Sequence, residues 1–228
     1  MQTLTDIDRS VLAFFNGSDS LFVDNLAVIL TSGLTWIPLY LSLLYVVIKN
    51  NDTMKQIMLV VGCVILSIIL SDGMADFIVK PMVERLRPSN DPFIKYTVNV
   101  VNDMRGSSYS FFSAHASNTF CVAMFFSLLV RNKVFVITMV SWSLVNCWTR
   151  MYLGLHYPSD ILAGLVWGGI SGSLAYYVYI KSYLHIYKDF NYISSRYTST
   201  GYNRFDADIV LLVLIFTLLF AITKALII

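Results

Sequence analysis

Six apolar runs, each near the length needed to cross a bilayer, confine this chain to one broad architecture. They cover residues 24–48, 55–78, 114–130, 134–152, 159–180 and 208–228, and a spanning helix needs about 20 mostly apolar residues. Inside hydrocarbon every backbone N–H and C=O must find a partner within its own segment, a test that an open sheet edge fails. The runs are therefore read as helices. Composition points the same way, with 57% apolar and only 13% charged residues, about half the charged share of a soluble domain. The expectation is an all-α, integral membrane bundle of six transmembrane helices. It forms a single domain over residues 1–228, with its chemistry within residues 55–180.

Ahead of the first run, residues 5–16 have the pattern of an amphipathic helix with Ile7, Leu12 and Phe15 on one face and Gly17 as its stop. That predicts a short N-terminal helix lying in the membrane interface as an anchor. The first residues lack the basic start and short apolar core of a signal peptide, so insertion is expected to rely on the first span. Gly164, Gly168 and Gly172 recur at intervals of four, a spacing that lets two helix backbones approach closely within the bundle. Cys63, Cys121 and Cys147 lie inside apolar runs at no metal-ligand spacing and are read as buried free thiols. A net charge of +2, with no basic run, gives no reason to expect a nucleic-acid partner. No protein partner, metal or other cofactor is expected either.

With six spans, both ends of the chain share a side with the loops 79–113 and 151–158. The opposite side carries Lys49, Lys55, Arg131, Lys133, Lys181, Lys188, Arg196 and Arg204. The first side keeps Arg9, Arg85, Lys95, Arg105 and Lys224 once Lys80, Arg87 and Arg150 are set aside for chemistry. The excess of Lys and Arg predicts that the opposite side is cytoplasmic, which turns the two polar loops outward. The polar, tyrosine-rich stretch 181–208 is then a surface loop on the cytoplasmic side.

Chemistry-bearing residues gather at the ends of spans, all on one predicted face. Lys80, Arg87 and Arg150 supply three positive charges, and guanidinium forks match phosphate oxygens in pairs. His115 falls in the first turn of the third span, where free N–H groups and the helix dipole favour an anion. Ser113 stands where a helix cap belongs and adds a hydroxyl. His156 and Asp160 are four residues apart. A carboxylate on one imidazole nitrogen fixes the tautomer and leaves the other nitrogen as a nucleophile. His115 can then protonate the leaving oxygen and later activate water. Together these groups predict a phosphate site at the membrane surface, suited to a substrate whose lipid tail stays in the bilayer.

The same residues resemble the type 2 phosphatidic acid phosphatase superfamily of membrane lipid phosphatases. Its first motif, Lys, six residues, then Arg-Pro, is matched by Lys80, Arg87 and Pro88. Its second, Pro-Ser-Gly-His, is matched by Ser113 and His115, with Phe112 and Ala114 departing from it. Its third, Ser-Arg, five residues, His, three residues, Asp, is matched by Arg150, His156 and Asp160, with Thr149 in place of Ser. The resemblance implies that His156 is the phosphorylated nucleophile, Asp160 its partner and His115 the acid/base. It implies that Lys80, Arg87, Ser113, Ala114 and Arg150 bind the phosphate without a metal.

Outside the motifs, Asp72, Asp76 and Lys80 recur every four residues. Asp76 is placed to steady Lys80, and Asp72 is expected to face the bundle interior. Asn118 and Asn146 are expected to bond across helices. Glu84 and Arg85 are expected to be solvated or paired locally, and the loop 96–109 either touches the headgroup or is a plain solvated loop. The substrates in contention are a polyprenyl carrier pyrophosphate such as undecaprenyl pyrophosphate, the phosphate on lipid A, and phosphatidylglycerophosphate. All three imply a multi-pass enzyme of a bacterial inner membrane. Two other classes compete: a transporter, which needs ionisable groups near the midplane of several spans, and a catalytically inactive lipid-binding relative.

Overall fold

The computed structural model describes residues 2–186 and 197–228. Lys188 and Arg196, counted in the charge comparison, and part of the stretch 181–208 lie outside the described residues. The described chain is helical: α1 (Gln2–Phe15), α2 (Leu21–Thr31), α3 (Ile37–Lys49), α4 (Met54–Gly73), the short α5 (Lys80–Val83), α6 (Ala114–Val130), α7 (Lys133–Tyr152), α8 (Pro158–Ile186) and α9 (Arg204–Ile227). Side-chain caps start several of them. Thr53 and Gln56 form a reciprocal capping box ahead of α4, and Asn132 and Asn203 accept the first free N–H groups of α7 and α9.

All six apolar runs are helical. By length and hydropathy alone, Met54–Asn90, Pro158–His185 and Arg204–Ile227 qualify as spans, and the pair α2/α3 makes a fourth if counted as one. The chain is a membrane protein. The first run is not the single helix expected over 24–48, because α2 and α3 are bent by 69°. Ser32 takes extended backbone angles (φ −75, ψ 125), ahead of Gly33 and of Pro38, which has no N–H to give. Carbonyls freed by the break are taken up by Thr35 Oγ1, bonded to Ile29 O at 2.6 Å, and by Trp36 Nε1, bonded to Leu30 O at 2.9 Å. Side chains thus seal the bend where a regular helix would have used its own amides.

α6 lies at the centre, and α8 crosses it with almost no space between the backbones. A Cβ added at Gly164, Gly168 or Gly172 would stand 2.6, 2.5 and 2.5 Å from the carbonyl oxygens of Ser113, Ser117 and Cys121. This approach sets the first turns of α6 and α8 side by side. Asp72 faces inward as expected and accepts from Asn118 Nδ2 of α6 at 2.8 Å. Asn146 does not bond across helices: its Nδ2 donates to Trp142 O one turn back at 2.9 Å. Directly after Asp72, at the end of α4, a π-helical turn over Met74–Val79 leads into α5, where Lys80 pairs with Asp76.

α1 forms as a helix, but its faces differ from expectation. Leu12 and Asp8 are buried against the bundle, whereas Leu4, Ile7 and Phe14 are exposed. Ile7 and Leu12 are separated around the helix because the side that meets protein carries the acid.

Candidate active site

Asp160 occupies the first turn of α8, which Pro158 opens with its preset φ. The carboxylate is fully buried. Its Oδ2 accepts from the Tyr157 backbone N–H at 2.9 Å and from the Ser110 hydroxyl, and its Oδ1 accepts from Arg85 Nη1 at 2.7 Å. Without such partners a buried carboxylate would cost several kcal/mol.

His156 precedes α8 in a tight loop and is 2% exposed. Its Nδ1 lies 3.6 Å from Asp160 Oδ2 and 3.4 Å from Ser110 Oγ, and its Nε2 lies 3.4 Å from Arg87 Nη1. A guanidinium has donors only, so the nitrogen facing it carries the lone pair and the proton sits on Nδ1, toward Asp160. Burial pushes the imidazole down to about 3, with Arg87 and Arg150 acting in the same direction against Asp160. The ring is therefore neutral at neutral pH, with its lone pair on Nε2.

Arg87 is held from three sides. Its Nε donates to Ser108 O at 2.8 Å, its Nη2 to Ser108 Oγ at 3.0 Å and its Nη1 to Leu155 O at 3.2 Å. The loop closes over the guanidinium so tightly that a Cβ on Gly106 would stand 2.3 Å from Arg87 Nε. Arg150, in the last turn of α7, donates from Nη1 to Thr31 Oγ1 at 2.8 Å. Its Nε is buried and has no hydrogen-bond partner, a donor whose desolvation an incoming anion would offset. Arg150 lies within electrostatic reach of Arg87, His156 and His115.

His115 is the second residue of α6, and its ring lies beside Arg150 and the Thr31 backbone. Ser113 caps α6, accepting from Ala116 N at 3.4 Å, while its own N–H donates to Asp160 O at 3.1 Å. Ala114 is the first residue of the helix, half-buried. The structure thus gathers His156, Asp160, Arg87, Arg150 and His115 around the first turns of α6 and α8. Lys80 is buried and held on Asp76, one turn back on its own helix. Among the described residues no group of three or more His, Cys, Asp or Glu is arranged to hold a metal ion.

Several residues that complete the site escaped the sequence reading. Arg85, expected to be solvated or locally paired, reaches Asp160 and lies 4.0 Å over the Tyr157 ring. The left-handed Glu84 (φ 49) ends α5 and swings the chain inward there. The only sequence signal was a surplus cation between Lys80 and Arg87. Ser108, Ser110 and Thr31 carried none. The loop 96–109 is mostly exposed, as a solvated loop would be, but it is tied down on its inner side: Arg105 Nη1 donates to Ser89 O at 2.7 Å, and Asn90 Nδ2 to Gly106 O at 2.9 Å. With Ser110 N bonded to Arg85 O at 2.7 Å, residues 84–113 form a folded cap over the site.

Comparison with known proteins gives a consistent picture. The sequence profile of the PAP2 superfamily matches residues 57–184. The chain is 40% identical over 179 residues to a lipid A 4'-phosphatase of Bacteroides thetaiotaomicron, covering 78% of this chain and 79% of that protein. It is 31% identical over 181 residues to a lipid A 4'-phosphatase of Porphyromonas gingivalis, covering 79% and 76%. A lipid A 1-phosphatase of Rhizobium etli is 29% identical over 142 residues, covering 60% and 59%. No solved structure matches the chain.

The buried ring makes a pH prediction. An unfolded histidine titrates at about 6.5, whereas burial pushes folded His156 down to about 3. The unfolded state therefore takes up this proton first, and the contribution to stability falls as pH drops below about 6.5 toward 3. Nitrogen-15 NMR of histidine-labelled protein in micelles is expected to show the His156 ring still neutral at pH 5. A midpoint above pH 6 would contradict the assignment.

Proposed function

The chain belongs to the PAP2 superfamily, and from that premise we propose that it removes the 4'-phosphate of lipid A through a phosphohistidine intermediate. The observation that carries the chemistry is the placement of the His156 ring, with Nε2 3.4 Å from the donor Arg87 Nη1 and Nδ1 turned toward Asp160. The substrate reading is supported by the two relatives named lipid A 4'-phosphatase, which share 40% and 31% identity with this chain over most of its length.

In this mechanism the phosphate oxygens rest against Arg87, Arg150, Lys80 and the first turn of α6 at Ser113 and Ala114. Lys80 exchanges part of its pairing with Asp76 for the substrate oxyanion. His156 Nε2 attacks phosphorus in line, forming a P–N bond as the P–O bond to the sugar breaks. His115, which takes up a proton from solvent as the negatively charged phosphate settles beside it, delivers that proton to the departing sugar oxygen. The Asp160 carboxylate stabilises the positive charge that develops on the His156 ring. His115, now neutral, takes a proton from water, which attacks the phosphohistidine. The P–N bond breaks, and inorganic phosphate leaves. Fixed guanidinium donors aimed at the transferring phosphoryl group are the kind of preorganised charge whose individual loss costs about 10²–10³-fold in rate.

The site end of the bundle is assigned to the periplasmic side of a bacterial inner membrane, on the excess of Lys and Arg at the opposite end. Cysteines introduced at the exposed Ser107 and Asp52 are at opposite ends. A membrane-impermeant reagent is expected to label Ser107→Cys in intact spheroplasts and not Asp52→Cys, and the reverse pattern would overturn the orientation.

Purified protein is expected to release one phosphate from bis-phosphorylated lipid A, with mass spectrometry placing the loss at the 4' position. Activity is expected to survive EDTA, fall with vanadate and disappear in His156→Ala and His115→Ala. Release from the 1 position, or from undecaprenyl pyrophosphate or phosphatidylglycerophosphate in preference to lipid A, would overturn the substrate. Activity indifferent to both substitutions would overturn the site.

A further inference from the structure

α1 meets the bundle through a carboxylate. Asp8 is 3% exposed on a helix whose Leu4, Ile7 and Phe14 are 58%, 59% and 82% exposed. Its Oδ1 accepts from Ser159 N at 2.9 Å, and its Oδ2 accepts from Ser159 Oγ at 2.5 Å and pairs with Arg85 Nη2 at 2.7 Å. The other amino group of that guanidinium, Nη1, donates to Asp160 Oδ1 at 2.7 Å and to Ser159 Oγ at 2.7 Å. One arginine fork is thus shared between two buried carboxylates from distant segments, 77 residues before it and 75 residues after it. An interfacial helix that served only as an anchor would have no use for a buried acid, because its polar face could remain in water at no cost.

The geometry points to Asp8 as a positioning residue for the catalytic pair, acting through Arg85 on Asp160 and so on the His156 ring. This rests on the reading of His156 as nucleophile. Three physical effects combine. With Nη2 occupied by Asp8, Arg85 reaches only Oδ1 of Asp160 and leaves Oδ2 to Ser110, Tyr157 N and the face of His156 Nδ1. Freed from Asp8, the fork can take both Asp160 oxygens side by side, the arrangement guanidinium and carboxylate favour, which pulls Oδ2 away from the ring. Asp8 also offsets the charge of Arg85, which would otherwise oppose the positive charge that grows on His156 during attack. Finally, its carboxylate covers the Ser159 N–H at the N-terminus of α8, where negative charge is favoured. The exposed apolar residues of α1 place it against lipid, so the catalytic pair is completed by a helix that the membrane surface itself holds.

The test compares wild type with Asp8→Asn, Asp8→Glu and Arg85→Lys on lipid A, together with the histidine nitrogen-15 spectrum of each. Asp8→Asn and Arg85→Lys are expected to lower kcat about tenfold with KM within twofold, the pattern of a lost transition-state interaction. Both are expected to change the His156 Nδ1–H signal, and Asp8→Glu to restore most of the rate and the wild-type signal. An Asp8→Asn protein with wild-type kcat and an unchanged His156 signal would overturn the proposal, whether or not its Tm falls. If Asp8→Asn does not fold, Arg85→Lys, which keeps the charge and loses the fork, gives the same two readings. If wild type releases no phosphate from any lipid, the phosphatase reading fails. The His156 signal in the variants still decides whether Asp8 positions the ring.

Discussion

Asp160 stands at the start of a membrane helix with no contact with solvent, a position in which an ionised carboxylate costs several kcal/mol unless nearly every lone pair is used. Much of the surrounding architecture serves that requirement. The turn before α8 aims the Tyr157 N–H at it, the cap 84–113 brings Ser110 and Arg85, and α1 brings the acid that shares Arg85. Once satisfied, Asp160 fixes the tautomer of His156 with the proton on Nδ1. Burial then keeps that ring neutral at a site crowded with guanidinium groups.

The other half of the site depends on how closely α6 and α8 approach. Glycines at intervals of four let the α8 backbone rest on the carbonyls of α6, which sets the dipole-bearing first turn of α6, with His115 and Ser113, beside Asp160. The Ser113 N–H to Asp160 O bond closes the seam between the two helices. The broken first span completes the arrangement from the far side. Because the chain bends at Ser32, Thr31 ends α2 at the level of Arg150 and accepts its Nη1. A straight helix over the same residues would have continued past that level.

The features legible in sequence were those written into local pattern. Apolar runs gave the helices, four-residue glycine spacing gave a close helix contact within the bundle but not its partner, and the spacing of His156 and Asp160 placed them together. What sequence did not give was set by contacts between distant segments. Ser32-Gly33 inside an apolar run is compatible with a continuous helix, and only the Trp36 and Thr35 bonds to α2 carbonyls make the break affordable. Asp8 lies on the polar side of an amphipathic pattern, where an acid usually faces water; its partner Arg85 comes from 77 residues away. The serines at 108 and 110 read as ordinary loop residues until the cap folds onto Arg87 and Asp160.

The proposed mechanism requires a covalent bond between His156 Nε2 and phosphorus. Rapid acid-free quenching of the enzyme with lipid A carrying phosphorus-32 at the 4' position, followed by peptide mapping, measures it directly. An acid-labile, base-stable phosphoryl label is expected on the peptide containing His156 and is expected to be absent from His156→Ala. A label on a different residue, or full turnover with no label on that peptide under conditions that slow the hydrolysis step, would contradict it.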